Sequence, residues 1–246
     1  IMTKLWFLDL DDTLFEASSG MLRAIHLRMN DFMARELNIT LEEANALRTQ
    51  YWAKYGATFI ALWRIHHVDP VKFLTETHDF DPTPYIAYEG NISDDVRKLS
   101  GQKVIFTNGP RLYADKVVRA SGLDRVCDDV VTSFDMKLFQ DWRPKPDASI
   151  LVNQCLRRGV RHNEATIVDD SLMNLKVAKS IGLQTVWCVG YRLKHDRITH
   201  RQAVNYVDHQ ITHIRELQRL PKAAAKQKEP LIPKPWQNRW FKEEPL

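Results

Sequence analysis

The stretch Trp6-Phe7-Leu8-Asp9-Leu10-Asp11-Asp12-Thr13-Leu14 ends an apolar run of strand length in three carboxylates within four residues. Like charges this close repel, and burial strengthens the repulsion. A chain that folds around such a cluster either leaves it in water as a solvated acidic turn or neutralises it with a cation, and the apolar lead-in argues against open water. A hard divalent cation bound through oxygen, Mg²⁺, is the natural partner. A carboxylate at a strand end can also be a nucleophile. If Asp9 attacks phosphorus, an aspartyl-phosphate forms. Asp11 can then protonate the leaving oxygen and later deprotonate the attacking water. In an extended chain the two side chains share a face; a turn just past the strand would separate them into two roles.

Other segments offer matching chemistry. Ala165-Thr166-Ile167-Val168 runs into Asp169-Asp170, and Val104-Ile105-Phe106 runs into Thr107-Asn108-Gly109. Asp9, Asp11, Asp169 and Asp170 form the candidate metal set. The Thr107 hydroxyl and nearby backbone N–H groups suit the donors that phosphoryl transfer needs around its oxygens, and Asn108 is a candidate substrate contact. Lys145 can do the same work, its backbone constrained between Pro144 and Pro146.

Elements that would position these groups follow from the pattern. Residues 4–9, 102–107, 130–131, 165–169 and 184–189 read as strands, with a weak sixth at Val207-Asp208. Helical spacing covers 21–37, a segment entered through a capping box at Thr40 and Glu43, then 58–66 and 70–77. Further helices are expected at 92–99, 112–121, 147–158, 172–181 and 214–220. Strands that alternate with helices imply an α/β, Rossmann-like, mostly parallel sheet covered on both faces. Ligands of such sheets bind at the carboxyl ends of strands near a topological switch point, where Asp9/Asp11, Thr107/Asn108 and Asp169/Asp170 all fall. The expected organisation is a core of residues 1–16 and 89–220, a small helical unit at 17–88 inserted after the first strand, and a Pro/Lys-rich tail at 221–246.

These residues resemble the haloacid dehalogenase superfamily of phosphohydrolases. Its four motifs are matched in order by Asp9-Leu10-Asp11-Asp12-Thr13, Thr107-Asn108-Gly109, Lys145-Pro146 and Val168-Asp169-Asp170-Ser171. The resemblance implies Asp9 as nucleophile, Asp11 as acid/base, Thr107 and Lys145 as catalytic partners, and the inserted helices as a cap that selects the substrate. Many members have Gly where Asp169 stands, and an Asp where Asn174 stands, so Asp170 is expected as the direct metal ligand, with Asp169 as a further or water-mediated one. The doubled Asp and the segment Tyr51-Trp52-Ala53-Lys54-Tyr55-Gly56-Ala57-Thr58 are similar to the pyrimidine 5′-nucleotidase branch. That likeness nominates Tyr55 and Thr58, with Trp63, His66 and His67 behind them, as nucleotide contacts. Plain packing is an equal reading for Trp52 and Trp63. The implied function is a Mg²⁺-dependent phosphomonoesterase for a small phosphorylated metabolite, a nucleoside 5′-monophosphate first, and phosphoglycolate or a sugar phosphate as the alternative. A non-enzymatic phosphate-binding or interaction module is the third reading.

Composition restricts the remaining classes. Of 246 residues 44% are hydrophobic and 27% charged, ordinary for a globular protein. The formal net charge is +4, and the stretch from Pro221 carries most of it, with six Lys or Arg against three Glu. The body is therefore nearly neutral, and nucleic acid is not an expected partner. The tail, with Trp236, Trp240 and Phe241, reads as loosely docked or unfolded. Cys127, Cys155 and Cys188 lack metal or disulfide spacing and read as small packed hydrophobes. No secretory signal or bilayer-length apolar run is visible, which gives a reducing cytoplasm as the expectation. Arg111 and the run Arg157, Arg158 and Arg161 read as surface charge, and Asp12 as a turn-stabilising group. Oligomeric state stays open.

Overall fold

A computed structural model describes residues 3–88, 90–196 and 204–220. The expectations for the tail from Pro221 lie outside these residues. Six strands form one parallel sheet: β1 (Leu5–Leu8), β2 (Gln102–Phe106), β3 (Asp129–Val131), β6 (Ala165–Asp169), β7 (Gln184–Cys188) and β8 (His209–Ile211). Two short strands, β4 (Lys137–Leu138) and β5 (Asp141–Trp142), make a separate antiparallel hairpin. The order in the sheet is β3-β2-β1-β6-β7-β8. Counted without the hairpin this is 3-2-1-4-5-6, the doubly wound order whose reversal lies between the first and fourth strands, here β1 and β6.

The alternation of side chains along β1 assigns its two faces. Trp6 and Leu8 pack into one apolar cluster with Ile105, Val168 and Val186, and α5 (Ile92–Arg97) and α6 (Arg111–Ala120) cover it. Leu5 and Phe7 pack into the other with Val104, Phe106 and Ile167, covered by α7 (Ala148–Arg157) and α8 (Leu172–Ser180). Leu5, Phe7 and Leu8 are wholly buried. A strand buried on both faces reads as a continuous apolar run, as residues 5–8 do. Cys188 and Cys155 each join one cluster, and all three cysteines are free thiols.

Between β1 and α5 the chain forms four further α-helices: α1 (Met21–Leu37), α2 (Leu41–Tyr55), α3 (Thr58–His66) and α4 (Pro70–His78). Thr40 and Glu43 form the reciprocal capping box that opens α2. Asp69 caps α4, and Pro70 takes its first position, where a missing N–H costs nothing. These helices enclose a third apolar cluster around Phe32, Met33, Phe59, Leu62 and Phe73. Helix α1 belongs to two clusters, because its early residues Met21 and Ile25 pack on the sheet's cluster and its later Phe32 and Met33 in the helical one. The chain leaves and returns at one place: the Glu16 N–H donates to the Ala87 carbonyl at 3.1 Å.

No residue pattern foretells the β4–β5 hairpin. Its turn residues Phe139 and Gln140 both have positive φ, 51° and 68°, which hairpin turns usually assign to Asn or Gly. Trp142 from this hairpin enters the helical cluster, edge-on to Phe59 at 5.4 Å between ring centres. Asp141 pairs with Arg64 of α3 at 3.6 Å. A short helix α9 (Gly190–Asp196) follows β7 and was also unforeseen. The sixth strand starts two residues later than expected, and residues 214–219 form a 3₁₀ turn rather than an α-helix. No helix among the described residues is long and apolar enough to cross a membrane.

Candidate active site

Three neighbouring strands deliver the site. β1 ends at Leu8, and Asp9 continues the ladder by donating its N–H to the Val168 carbonyl at 3.0 Å. β6 ends on Asp169, and β2 is followed by Thr107, whose N–H donates to the Val131 carbonyl at 3.0 Å. All three side chains are buried. Lys145 arrives from the loop after the hairpin. Its ammonium donates to Asp9 Oδ1 at 2.6 Å and to Asp169 Oδ2 at 2.9 Å, and is 4% exposed. One buried cation thus bridges the ends of β1 and β6, at the switch point.

The carboxylates outnumber that cation. Oxygens of Asp9, Asp169 and Asp170 lie within 4.8 Å of one another. Three carboxylates around one buried ammonium, with Arg192 3.9 Å from Asp170, still leave an excess of negative charge. Burial, with Asp169 and Asp11 adding, raises the Asp9 carboxyl to about 7 against the pull of Lys145. Burial and then the charges of Asp169 and Asp9 push Asp170 well above the usual carboxylate range. Burial alone would lower the Lys145 ammonium, but Asp169 and Asp9 override it and hold it above its ordinary value. A hard-oxygen donor set with uncompensated negative charge fits Mg²⁺. Asp169 is already engaged: its oxygens accept from the Asn174 amide at 2.9 and 3.0 Å and from the Ser171 N–H at 2.9 Å. Asp170 has a longer partner, Arg192 at 3.9 Å, while its main-chain carbonyl is fixed by the Trp187 indole at 2.9 Å.

Asp11 stands apart from these three. Its Oδ1 accepts from the Tyr113 hydroxyl of α6 at 2.5 Å, and burial raises its carboxyl to about 6 despite that bond. Its expected place in the metal set is therefore corrected for the side chain: the Asp11 carboxylate is turned to Tyr113 rather than to Asp9, Asp169 and Asp170. The intervening turn produces this split. Asp12 sits at φ 54°, in the left-handed region, and is fixed there by Ser18, whose N–H donates to Oδ1 at 2.8 Å and whose hydroxyl donates to Oδ2 at 2.5 Å. Asp tolerates that conformation better than most residues. Asp12 accordingly stabilises the turn, as its lack of assigned chemistry suggested.

Asn108 has a different job from the substrate contact expected of it. Its amide nitrogen donates to the Lys145 carbonyl at 3.0 Å, and its oxygen accepts from the Lys145 N–H at 2.8 Å. Both ends of the amide hold the lysine's own peptide, so Asn108 positions Lys145. Thr107 Oγ1 accepts from the Gly109 N–H at 3.0 Å, which leaves its proton for another acceptor. Gly109 is tightly packed: a Cβ there would lie 3.0 Å from the Tyr113 ring and 3.3 Å from Thr107 Oγ1.

The helical insertion reaches this site through its α2–α3 junction. Gly56, at φ 75°, lies so close to the Lys145–Pro146 loop that a Cβ would meet Pro146 Cδ at 2.7 Å. Tyr55, next to it, stacks edge-on with Tyr51 at 6.3 Å. Thr58 is corrected as a nucleotide contact: it is buried and its hydroxyl donates within the insertion, to the Arg48 carbonyl at 3.4 Å. His66 is held by the Tyr51 hydroxyl at 2.6 Å, and His67 ends α3 in the left-handed conformation. Trp63 packs against the helical cluster, whereas Trp52 is 56% exposed and does not. Arg111 binds the Val130 carbonyl and Asp135, and Arg158, far from solvated, is pinned to Asp129 and Gln154.

Sequence reasoning missed Tyr113 as a partner of Asp11. Its signal was present, since Tyr113 falls on the same helical face as the apolar Ala114, Val117 and Val118, all buried. A hydroxyl on a buried face needs a partner.

Residues 3–182 match the model of the haloacid dehalogenase-like hydrolases. Phosphate metabolism protein 8 of Saccharomyces cerevisiae is 24% identical over 191 residues, 73% of this chain and 60% of that protein. Validoxylamine A 7′-phosphate phosphatase of Streptomyces hygroscopicus subsp. limoneus is 28% identical over 92 residues, and (S)-2-haloacid dehalogenase 4A of Burkholderia cepacia 34% identical over 82. The chain thus spans less than two thirds of the length of these relatives. Among solved structures, the fold is similar to a phosphatase of this group from Thermococcus onnurineus, with a TM-score of 0.59 at 20% identity over 89% of this chain and 97% of that one. It is likewise similar to a haloacid dehalogenase-like protein from Streptococcus pneumoniae, with a TM-score of 0.58 at 16% identity over 89% and 98%. Matched over most of its length, with the strand-end carboxylates and lysine in one place, the chain belongs to the haloacid dehalogenase-like hydrolase family.

Proposed function

We propose that the protein is a Mg²⁺-dependent phosphomonoesterase that works through an aspartyl-phosphate on Asp9. The observation that carries the reading is the division of labour between two aspartates only two residues apart: Asp9 faces Lys145 and the carboxylate cluster, and Asp11 faces Tyr113. Asp9, Asp169 and Asp170 would hold the metal, which when bound supplies positive charge that lets an anionic phosphate approach an anionic nucleophile. Asp9 attacks phosphorus as the ester P–O bond breaks, and Asp11 gives its proton to the departing oxygen. Asp11, now ionised, takes a proton from water, whose oxygen attacks phosphorus and releases the Asp9 carboxylate. Lys145 and the Thr107 hydroxyl are the donors for the non-bridging oxygens. A raised carboxyl at Asp11, about 6, suits a group that must both give and take a proton near neutral pH.

The four-helix insertion, residues 17–88, acts in this reading as a cap on a core of residues 1–16 and 89–220. The contact of Gly56 with the Lys145–Pro146 loop supports it. Nucleoside 5′-monophosphates, pyrimidine ones first, are the favoured substrates, on the likeness of the 51–58 segment to that branch; Tyr55 is the cap residue retained as a base contact. Phosphoglycolate and sugar phosphates are the competing substrates. A dehalogenase reading, raised by the Burkholderia relative, leaves the Asp11–Tyr113 pair without work, because departure of a halide needs no carboxylic acid at that position.

Turnover of a panel of phosphate monoesters, with Mg²⁺ and with a chelator, tests the proposal. Hydrolysis that requires the metal and is highest for nucleoside monophosphates is expected. Turnover of 2-haloacids and of no phosphate ester would overturn it.

A further inference from the structure

We infer that Tyr113 is the positioning residue of the acid/base step: its hydroxyl occupies Asp11 Oδ1, and so reserves Oδ2 as the oxygen that gives and takes the proton. The inference rests on the phosphatase reading above and names a residue for which none of the four motifs has a place.

Geometry carries the argument. The Tyr113 hydroxyl donates to Asp11 Oδ1 at 2.5 Å across 102 positions of sequence, and it is the side-chain donor to the Asp11 carboxyl among the described residues. A carboxyl group rotates freely about its terminal torsion. A single strong donor at one oxygen removes that freedom and distinguishes the two oxygens. The donor cannot wander, because the Tyr113 ring is 1% exposed and held on several sides. His78, at the end of α4, meets it edge-on with ring centres 5.5 Å apart. Phe80, in the segment that returns from the helical insertion, packs at 6.3 Å. Gly109 leaves just enough room below it, since even a Cβ there would come within 3.0 Å of the ring. The groove that receives Tyr113 is thus built jointly by the loop carrying Thr107 and by the end of the insertion.

Chemistry gives the consequence. Proton transfer needs the carboxyl oxygen within hydrogen-bond reach of the leaving oxygen, in a fixed orientation. An Asp11 that samples rotamers still bears a proton but presents it less often. The loss falls on steps in which Asp11 moves a proton, and hardly on binding of the phosphate, which depends on Lys145, Thr107 and the metal.

The test is Tyr113→Phe, measured with two phosphate monoesters, one with an alkyl alcohol as leaving group and one with nitrophenol. The value of kcat/KM reports steps up to departure of the leaving group, and nitrophenolate departs without an acid. The expected result is a fall in kcat/KM of roughly tenfold or more for the alkyl ester, a part of the ~10²–10⁴ that acid/base catalysis supplies, with a much smaller fall for the nitrophenyl ester. In an Asp11→Asn background Tyr113→Phe is expected to add no further loss. Equal losses with both esters, or none, in a variant whose circular dichroism and Tm match the parent would overturn the inference while leaving the phosphatase reading intact. Should Tyr113→Phe fail to fold, Phe80→Ala gives a second route, because loosening the ring must reproduce the same leaving-group dependence; its absence refutes the inference. If the unaltered protein hydrolyses neither ester, the phosphatase reading itself fails.

Discussion

Replacing Lys145 by Met tests the buried charge balance of the site. Methionine keeps an unbranched apolar stem of similar reach but removes the ammonium that pairs with Asp9 at 2.6 Å and Asp169 at 2.9 Å. The site's excess of negative charge then grows by one in a place where Lys145 is 4% and Asp169 0% exposed. Removing one partner of a buried pair costs about 3–5 kcal/mol, because the remaining charge stays desolvated and uncompensated. The stranded carboxylates can escape part of that cost by binding protons, which sets the pH dependence. Asp9 already sits near 7 because of burial, and without the lysine its folded-state value rises further. In the unfolded chain it ionises near its ordinary value. The folded state therefore holds more protons than the unfolded state across that window, and the variant's stability falls as pH rises. Urea unfolding of metal-free protein, followed by circular dichroism, is expected to show a small deficit at about pH 5 and a deficit of about 3–5 kcal/mol at about pH 8. A deficit under ~1 kcal/mol, the size of a surface pair, and equal at both pH values would refute the buried ion-pair account.

Other consequences are more local. Asp12→Ala loses both bonds to Ser18 and keeps a Cβ at positive φ; an unfolding free energy lower by about 2–3 kcal/mol is expected, and an unchanged one would show that the turn is set elsewhere. Gly56→Ala forces a Cβ to 2.7 Å from Pro146 Cδ at φ 75°. A cost of about 1–2 kcal/mol from the left-handed backbone should appear in thermal unfolding, together with a fall in turnover transmitted through the Lys145 loop. Burial, and secondarily His26, lowers the His78 imidazole to about 4. The unfolded chain binds that proton from its ordinary value downward, so the contribution is complete above that value and is lost as pH falls toward about 4, by up to about 3 kcal/mol. His78→Gln should flatten the acid limb of a Tm-against-pH curve, and an unaltered limb would remove His78 from the account.

Much of the architecture was legible in the chain, for identifiable reasons. Residues 5–8 are apolar throughout, and Ile167 and Val168 apolar in turn, because both faces of a central parallel strand are covered. The helix starts at Leu41 and Pro70 follow from local signals, Thr40 with Glu43 and Asp69 with Pro70. Asp9, Asp169 and Asp170 could be placed together because strand ends at a switch point must converge, whereas Lys145 joined them only through the order of the motifs. What stayed hidden is pairwise and distant. The Asp11–Tyr113 bond joins residues 102 positions apart, and nothing local marks it. The amide of Asn108 could have faced a substrate, but it clamps the Lys145 peptide. The hairpin escaped notice because Phe139-Gln140 takes a turn conformation that its residue types do not advertise. Trp52 looked like packing material and stands in solvent, whereas Arg158 looked solvated and is pinned to Asp129; helical periodicity alone does not decide either case.

The central claim is that Asp9 becomes covalently phosphorylated during turnover. Asp11→Asn protein, unable to draw a proton from water, should accumulate that intermediate when mixed with Mg²⁺ and nitrophenyl phosphate, whose leaving group departs without an acid, and quenched in acid. Intact-mass measurement followed by peptide mapping is predicted to find one phosphoryl group per chain, on the peptide that contains Asp9, and none in the Asp9→Asn protein. Phosphoryl transfer to any other residue, or turnover by the Asp9→Asn protein, would contradict the account.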